Sequence, residues 1–307
     1  MILKNLKVLS QHVWKNHLII NTILETQTHF DIILFQEPPW SIIRKIPSNS
    51  NSEGEDFVGT VHHLNWVLFA INPSNKATSP RVTAYINNRL ASLCFSLRTD
   101  IINHTDILLL SFTNNHFQYF ILNIYSDSIH MALKYLKDIE VNIDNILVMT
   151  GNFNIRDSLW DSSFPHHSSI SNDLVLIADS FQLALLMPTN PVPTRYSDTV
   201  GEANSTIDLM FLRCNSIELN QHTIHPDWRL TSDHAPLSVT ILITNEFITT
   251  SKLLIQQNSK QENAFIKEVI SVFQNLDTLN ISNKECLKNM VNNLNSLINQ
   301  VWNKNAK

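Results

Sequence analysis

The chain has 307 residues, 43% hydrophobic and only 16% charged, with a formal net charge of −5 and a pI near 6.2. That hydrophobic fraction excludes wholesale disorder, and the length allows a sizeable core. The mild acidity excludes a polyanion binder that works through bulk charge, so any contact with nucleic acid must use a local patch.

The first apolar run, Leu6–Leu9, reads as a strand that continues through Ser10 and Gln11 to His12. His12 is either a phosphate contact at the strand's end or an ordinary surface histidine. Leu18-Ile19-Ile20 and Ile23-Leu24 have helical spacing, and Asp31–Phe35 is a second strand that leads into Gln36-Glu37-Pro38-Pro39-Trp40. A strand ending in Glu-Pro-Pro sets a carboxylate at a sheet's rim, because proline stops the ladder. Hard cations such as Mg²⁺ take one or two such carboxylates together with phosphate oxygens and water. Glu37 suits that role, or is a solvated strand end. Ser41 to Val61, rich in Ser, Asn and Gly, reads as a long surface loop.

Further strands are expected at Trp66–Ile71, Val82–Ile86, Ile107–Phe112 and Tyr119–Ile124. The last delivers Tyr125, whose hydroxyl either donates to a phosphate oxygen or simply packs. His130–Val141 has helical spacing. Ile146–Met149 is a buried-type strand that exits through Gly151-Asn152-Phe153-Asn154. Asn152 and Asn154, two apart, face one side of an extended chain. Attack by water calls for a carboxylate at position 152, and an amide is scarcely basic; the plainer reading is an Asn-rich turn. Trp160 to Asn172 reads as a loop and Leu174–Phe181 as helical. In the strand Ile207–Leu212, Asp208 is an acid among apolar residues and needs a partner, either His234 or a structural salt bridge. Ser232-Asp233-His234 stands just before the strand Leu237–Ile243. Asp233 is suited to bind metal or assist a proton transfer. His234 is suited to hold a non-bridging phosphate oxygen or act as acid–base. Alone, the tripeptide is also an ordinary surface loop.

Strands outnumber helices and many follow one another directly, which argues for mostly antiparallel or mixed sheets with covering helices. Residues 246 to 260 are largely polar, and Phe265 to Phe273 and Leu287 to Trp302 then show helical periodicity. The expected division is a domain over 1–245 and a helical tail over 246–307. Cys94, Cys214 and Cys286 lack metal-type spacing and read as reduced thiols of an intracellular protein. No signal-peptide profile and no run of roughly 20 apolar residues suggests a membrane partner. With only four glycines, some left-handed turns are expected to use Asn. Arg44, Lys45, Arg156 and Arg195 are phosphate-contact candidates or solvated charges.

Taken in order, the strand ending at His12, Gln36-Glu37, Tyr125, Gly151-Asn-Phe-Asn154, Ile207-Asp208 and Ser232-Asp-His234 resemble the endonuclease/exonuclease/phosphatase superfamily over about residues 5 to 245. Gln36-Glu-Pro-Pro-Trp40, Asn123-Ile-Tyr-Ser126, Asn154-Ile-Arg-Asp157 with Trp160, Ser205-Thr-Ile-Asp208 and Ser232-Asp-His-Ala-Pro236 resemble the endonuclease domain of LINE-type retrotransposons, fungal ones especially. The resemblance implies a deoxyribonuclease I-like four-layer α/β sandwich of two mixed, mostly antiparallel sheets flanked by helices. It implies Mg²⁺ (or Mn²⁺) on Glu37 with Asp233, and Asn154 and Tyr125 as phosphate or nucleophile positioners. It has Asp208 orienting His234, DNA as substrate and hence a nuclear location. The helical tail would connect to a reverse transcriptase. Two positions depart from the family pattern: His12 stands for the usual Asn, and Asn152 for the usual Asp. Both departures imply impaired hydrolysis.

Overall fold

The computed structural model describes residues 3–40, 45–47, 55–57, 61–71, 79–139, 143–199, 201–213, 221–243 and 260–274, with positions 294, 297, 298, 300, 301 and 304. It divides into two compact units, Met1–Ile243 and Thr244–Lys307.

The first unit runs β1 (Asn5–His12), α1 (His17–Thr26), β2 (Ile32–Gln36), β3 (Lys45–Pro47), β4 (Glu55–Phe57), β5 (Trp66–Ala70), β6 (Val82–Asn87), β7 (Ser96–Leu97), β8 (Ile107–Asn114), β9 (Phe117–Tyr125), α2 (Met131–Asp138), β10 (Ile146–Asn152), α3 (Ser169–Ser180), β11 (Leu183–Leu185), β12 (Asp208–Arg213), β13 (Gln221–Ile224) and β14 (Leu237–Leu242). The second unit contains α4 (Lys260–Gln274), over the stretch where Phe265 to Phe273 shows helical periodicity. Most of Leu287 to Trp302 lies outside the described residues, though positions 294, 297, 298, 300 and 301 are helical.

Two six-stranded sheets form the body, in the orders β13-β14-β1-β2-β6-β5 and β11-β12-β10-β9-β8-β7. Each has one parallel pair near its middle, β1 with β2 and β10 with β9, and is antiparallel elsewhere. Alternation along each strand splits the apolar side chains between two faces. On the outer face of the first sheet, Leu9, Ile33, Phe35 and Tyr85 cluster with Ile19, Ile20, Ile23 and Leu24 of α1. On the second, Leu109, Leu122, Met149 and Phe211 cluster with Leu133 and Leu136 of α2 and with Leu174 and Ile177 of α3. The alternate residues face the opposite sheet, so the first unit has four layers, helix, sheet, sheet and helix.

A polar bridge crosses the inter-sheet core. The Gln36 amide nitrogen donates to Asn123 Oδ1 (2.6 Å) and to Ser10 Oγ (3.1 Å), and the Asn123 amide nitrogen donates to the carbonyls of Phe35 and Thr83. All three side chains are buried. Gly151 answers a different constraint. A Cβ there would lie 1.8 Å from the Ile124 carbonyl oxygen, and its φ is +150°, so only glycine lets β10 run this close to β9.

Some sequence expectations need correction. Ser41 to Val61 is not loop throughout, because β3 and β4 pair within it. Helix α3 begins at Ser169, well ahead of Leu174. Its early start is set by polar groups that apolar spacing does not register. The Ser168 hydroxyl accepts from the Ser171 amide (3.3 Å), and the buried Asp157 carboxylate accepts from the Ser168 amide (2.8 Å) and the Ser171 hydroxyl.

Two stability predictions follow from these contacts. Asn123→Leu leaves one Gln36 N–H unmet and takes a donor from two backbone carbonyls, and is expected to cost about 3 kcal/mol in urea denaturation. His222 on β13 is buried, donates Nδ1–H to the Leu186 carbonyl (3.0 Å), and is pushed down to about 4 by burial. An unfolded chain protonates this group near 6.5, whereas the fold resists until about 4. Stability should therefore fall as pH drops through that window, by up to about 3 kcal/mol. His222→Gln should flatten this part of the pH dependence of the urea midpoint.

Candidate active site

The ends of the two parallel pairs define one rim. Parallel neighbours finish side by side, so β1 and β2 deliver His12 beside Gln36, and β9 and β10 deliver Tyr125 beside Asn152. Antiparallel pairing then sets Asp208, the first residue of β12, opposite Asn152. By alternation His12, Gln36, Tyr125, Asn152 and Asp208 all stand on the inner faces.

Glu37 follows β2 in a left-handed conformation (φ 50°). Its amide donates to the Arg81 carbonyl and its carbonyl accepts from Lys15, both at 2.7 Å, which holds this costly backbone state. Its carboxylate accepts from His12 Nε2 at 3.2 Å. That bond holds the Glu37 carboxyl below its ordinary range against the opposing effect of burial. His12 is buried, not the surface histidine that was one reading, and burial lowers its pKa despite Glu37. Its Nδ1 has no hydrogen-bond partner among the described residues. The ring lies 4.3 Å from that of His234 and stacks on Tyr125 at 5.8 Å. The Ser232 hydroxyl donates to the His12 carbonyl (3.1 Å) and accepts from the His234 amide (3.0 Å), tying the late loop to the first strand.

Asp208 and His234 form a buried pair, Oδ2 to Nδ1 2.7 Å. Burial opposes charge on His234, but the attraction and hydrogen bond of Asp208, with help from Asp233, outweigh it and raise the imidazole's pKa. The Thr194 hydroxyl accepts from the Ile207 and Asp208 amides (3.0 Å each) and so fixes the acid's backbone. Asp233 lies 3.8 Å from His234 Nε2 through Oδ1, and its Oδ2 pairs with Arg195 Nε at 3.3 Å. Tyr125 is pushed up to about 12 by burial and the adjacent Glu37 carboxylate, so its hydroxyl remains a donor. The Arg81 guanidinium sits 4.6 Å over its ring.

Asn152 is buried, and its Oδ1 accepts from the Asn154 amide (2.9 Å), closing an Asx turn. Asn154 takes the left-handed conformation (φ 53°), and its amide nitrogen donates to the Ser126 carbonyl (2.7 Å). One ligand atom each from His12, Asp233 and His234 lies within 4.8 Å of the others, and this trio can hold a metal ion.

All eight sequence candidates, His12, Glu37, Tyr125, Asn152, Asn154, Asp208, Asp233 and His234, are thus linked through pairings and contacts at one rim. Arg195 belongs to it through Asp233, while Arg156 pairs with Asp161 (3.3 Å) and Arg44 lies outside the described residues. The sequence gives no role to Asn123, Thr194 or Arg81. A polar residue amid the apolar run Tyr119–Ile124 is a usable signal for Asn123; Thr194, in a Pro-containing loop, offers none.

Residues 119–238 match the family model described as endonuclease-reverse transcriptase, a span that contains every candidate except His12 and Glu37. No curated protein matches the sequence. The endonuclease domain of TRAS1, a telomere-specific non-LTR retrotransposon, is similar in structure (TM-score 0.58, 15% identity, 78% of this chain and 98% of that one). TDP2 from Caenorhabditis elegans is more distant (TM-score 0.45, 12% identity, 78% of this chain and 74% of that one). With two mixed six-stranded sheets between flanking helices, the chain has a deoxyribonuclease I-like fold.

Proposed function

We propose that the chain is the endonuclease domain of a LINE-type retrotransposon, of the fungal kind by its motif details, built to nick DNA by hydrolysing a phosphodiester. The observation that carries the reading is the buried Asp208–His234 pair at 2.7 Å, beside Glu37, Tyr125 and Asp233. Asp208 fixes the tautomer and favours the imidazolium, so His234 donates from Nε2 to a phosphate oxygen. Tyr125, held protonated, donates a second hydrogen bond. Glu37 and Asp233 supply carboxylates for a divalent ion, Mg²⁺ or Mn²⁺, which when bound would polarise the phosphate toward in-line attack by water.

Asn152 is the weak point. Its oxygen is spent on the Asn154 amide and cannot take a proton from water. His12 replaces an amide oxygen with an imidazole. A second reading therefore has a specific basis, a domain that binds nucleic acid without cutting it. A phosphatase acting on small or lipid phosphates is a third, less favoured. Residues 246–307 would connect to a downstream reverse transcriptase, and a DNA substrate places the protein in the nucleus. Among the described residues no helix is long and apolar enough to cross a membrane.

The deciding experiment is nicking of supercoiled plasmid with Mg²⁺. Asn152→Asp combined with His12→Asn should nick about 10² to 10⁴ times faster than the chain as given. Equal rates would overturn the assignment of the defect to Asn152. A double variant that binds DNA yet never nicks would establish the binding reading, and one that hydrolyses only soluble phosphoesters the phosphatase reading. In the double-variant background, His234→Ala should lose about 10² or more in rate with DNA affinity retained.

A further inference from the structure

We propose that His12, Asp233 and His234 form a site for one borderline divalent ion of the Zn²⁺ and Co²⁺ class, in place of an all-oxygen magnesium site. The inference replaces the Glu37–Asp233 ion of the hydrolase reading with one on this trio, and rests on that reading only for the consequence drawn below.

Three observations converge. The trio brings one ligand atom each within 4.8 Å, and His234 Nε2 to Asp233 Oδ1 is already 3.8 Å. Ligands about 2.0–2.1 Å from a tetrahedral ion sit about 3.4 Å apart, so closure of this edge needs only a few tenths of an ångström. Asp233 is partly exposed and meets Arg195 through its other oxygen, which leaves Oδ1 free to turn.

Each imidazole is also aimed by a carboxylate on one nitrogen. Asp208 holds His234 Nδ1 at 2.7 Å, and Glu37 holds His12 Nε2 at 3.2 Å. A carboxylate behind a histidine is the arrangement that orients metal-ligating imidazoles and raises their donor strength. With Nε2–H given to Glu37, His12 keeps its lone pair on Nδ1, a buried atom with no hydrogen-bond partner among the described residues. A buried polar atom in that state calls for an explanation, and a metal ion supplies one.

Finally, the donor set decides between ions. Mg²⁺ prefers oxygen and keeps much of its water, whereas two imidazoles and one carboxylate suit the Zn²⁺ class. Three protein ligands with an open fourth position is the pattern of catalytic zinc. Position 12 is what makes the difference, because an amide oxygen there would return the site to hard-ion chemistry. The consequence is competition: an ion on Nε2 occupies the atom that His234 otherwise offers to phosphate.

The test uses the full chain, stripped with chelator and free of nucleic acid, so it stands apart from any nicking result. Co²⁺ should give a visible d–d band of four-coordinate intensity that saturates at one equivalent. One equivalent of Zn²⁺ should erase it, and a hundredfold excess of Mg²⁺ should not. His12→Asn and, separately, Asp233→Asn should each weaken Co²⁺ binding by at least about tenfold with far-ultraviolet circular dichroism unchanged. The chain has 13 histidines, so adventitious binding is the alternative. Absence of the band, affinity unaltered in both variants, or displacement by Mg²⁺ at concentrations like those of Zn²⁺ would each overturn the site.

Discussion

One buried amide contact holds the two sheets of the first unit in register. Gln36 reaches from the first sheet to Asn123 in the second, and Asn123 returns two hydrogen bonds to backbone carbonyls of the first. Apolar side chains between sheets attract without direction, and a sandwich joined by them alone has many nearly equal offsets. Amides in a dry core are unforgiving, because any other offset leaves buried donors and acceptors unmet. Glu37 is the next residue after Gln36, and Tyr125 is two beyond Asn123. The bridge therefore fixes the spacing of the groups that matter, one to three residues before the chain leaves the sheets.

Beyond it, the rim is assembled from strand ends whose backbones are held in uncommon states. Glu37 and Asn154 are left-handed, and each is clamped by hydrogen bonds from another segment. Such conformations cost energy and persist where the surroundings enforce them. The Arg81 carbonyl and the Lys15 amide clamp Glu37, the Ser126 carbonyl clamps Asn154, and the Thr194 and Ser232 hydroxyls hold the backbone at Asp208 and His234; none of these groups offers chemistry to a substrate. The rim thus combines a small set of reactive groups with a larger set of groups whose work is to hold them.

Much of this was legible in the sequence because the reactive groups sit at the ends of readable apolar runs. Glu37, Asn152 and Asp208 adjoin such runs, and Ser232-Asp-His234 precedes another, so residue type and place together pointed to one rim. What stayed hidden depends on contacts distant along the chain. Nothing local tells that Asn123 meets Gln36, that Thr194 caps the backbone at Asp208, or that His12 is buried between Tyr125 and His234. Helix α3 hid its start because polar caps, not apolar spacing, begin it. The scarcity of glycine did turn left-handed positions over to Asn115, Asn145 and Asn154, but Glu37, His116 and His130 share that burden. Asparagine enters the left-handed region more readily than most residues that carry a Cβ, whereas tertiary clamping explains Glu37.

The edge of the first unit away from the rim has a quieter property. There the Ile243 amide donates to the Lys4 carbonyl at 2.8 Å, where β1 begins and β14 ends. From this point to His12 the strand covers eight residues, about 26 Å at a normal rise. The backbone of the unit is therefore nearly a closed ring, fastened on the side opposite its reactive groups. A short splice across residues 4 and 243, with a new opening cut in an exposed turn, would preserve every strand neighbour and every group at the lip. In this architecture the order of the motifs along the chain is incidental, and their order around the ring is what the fold requires.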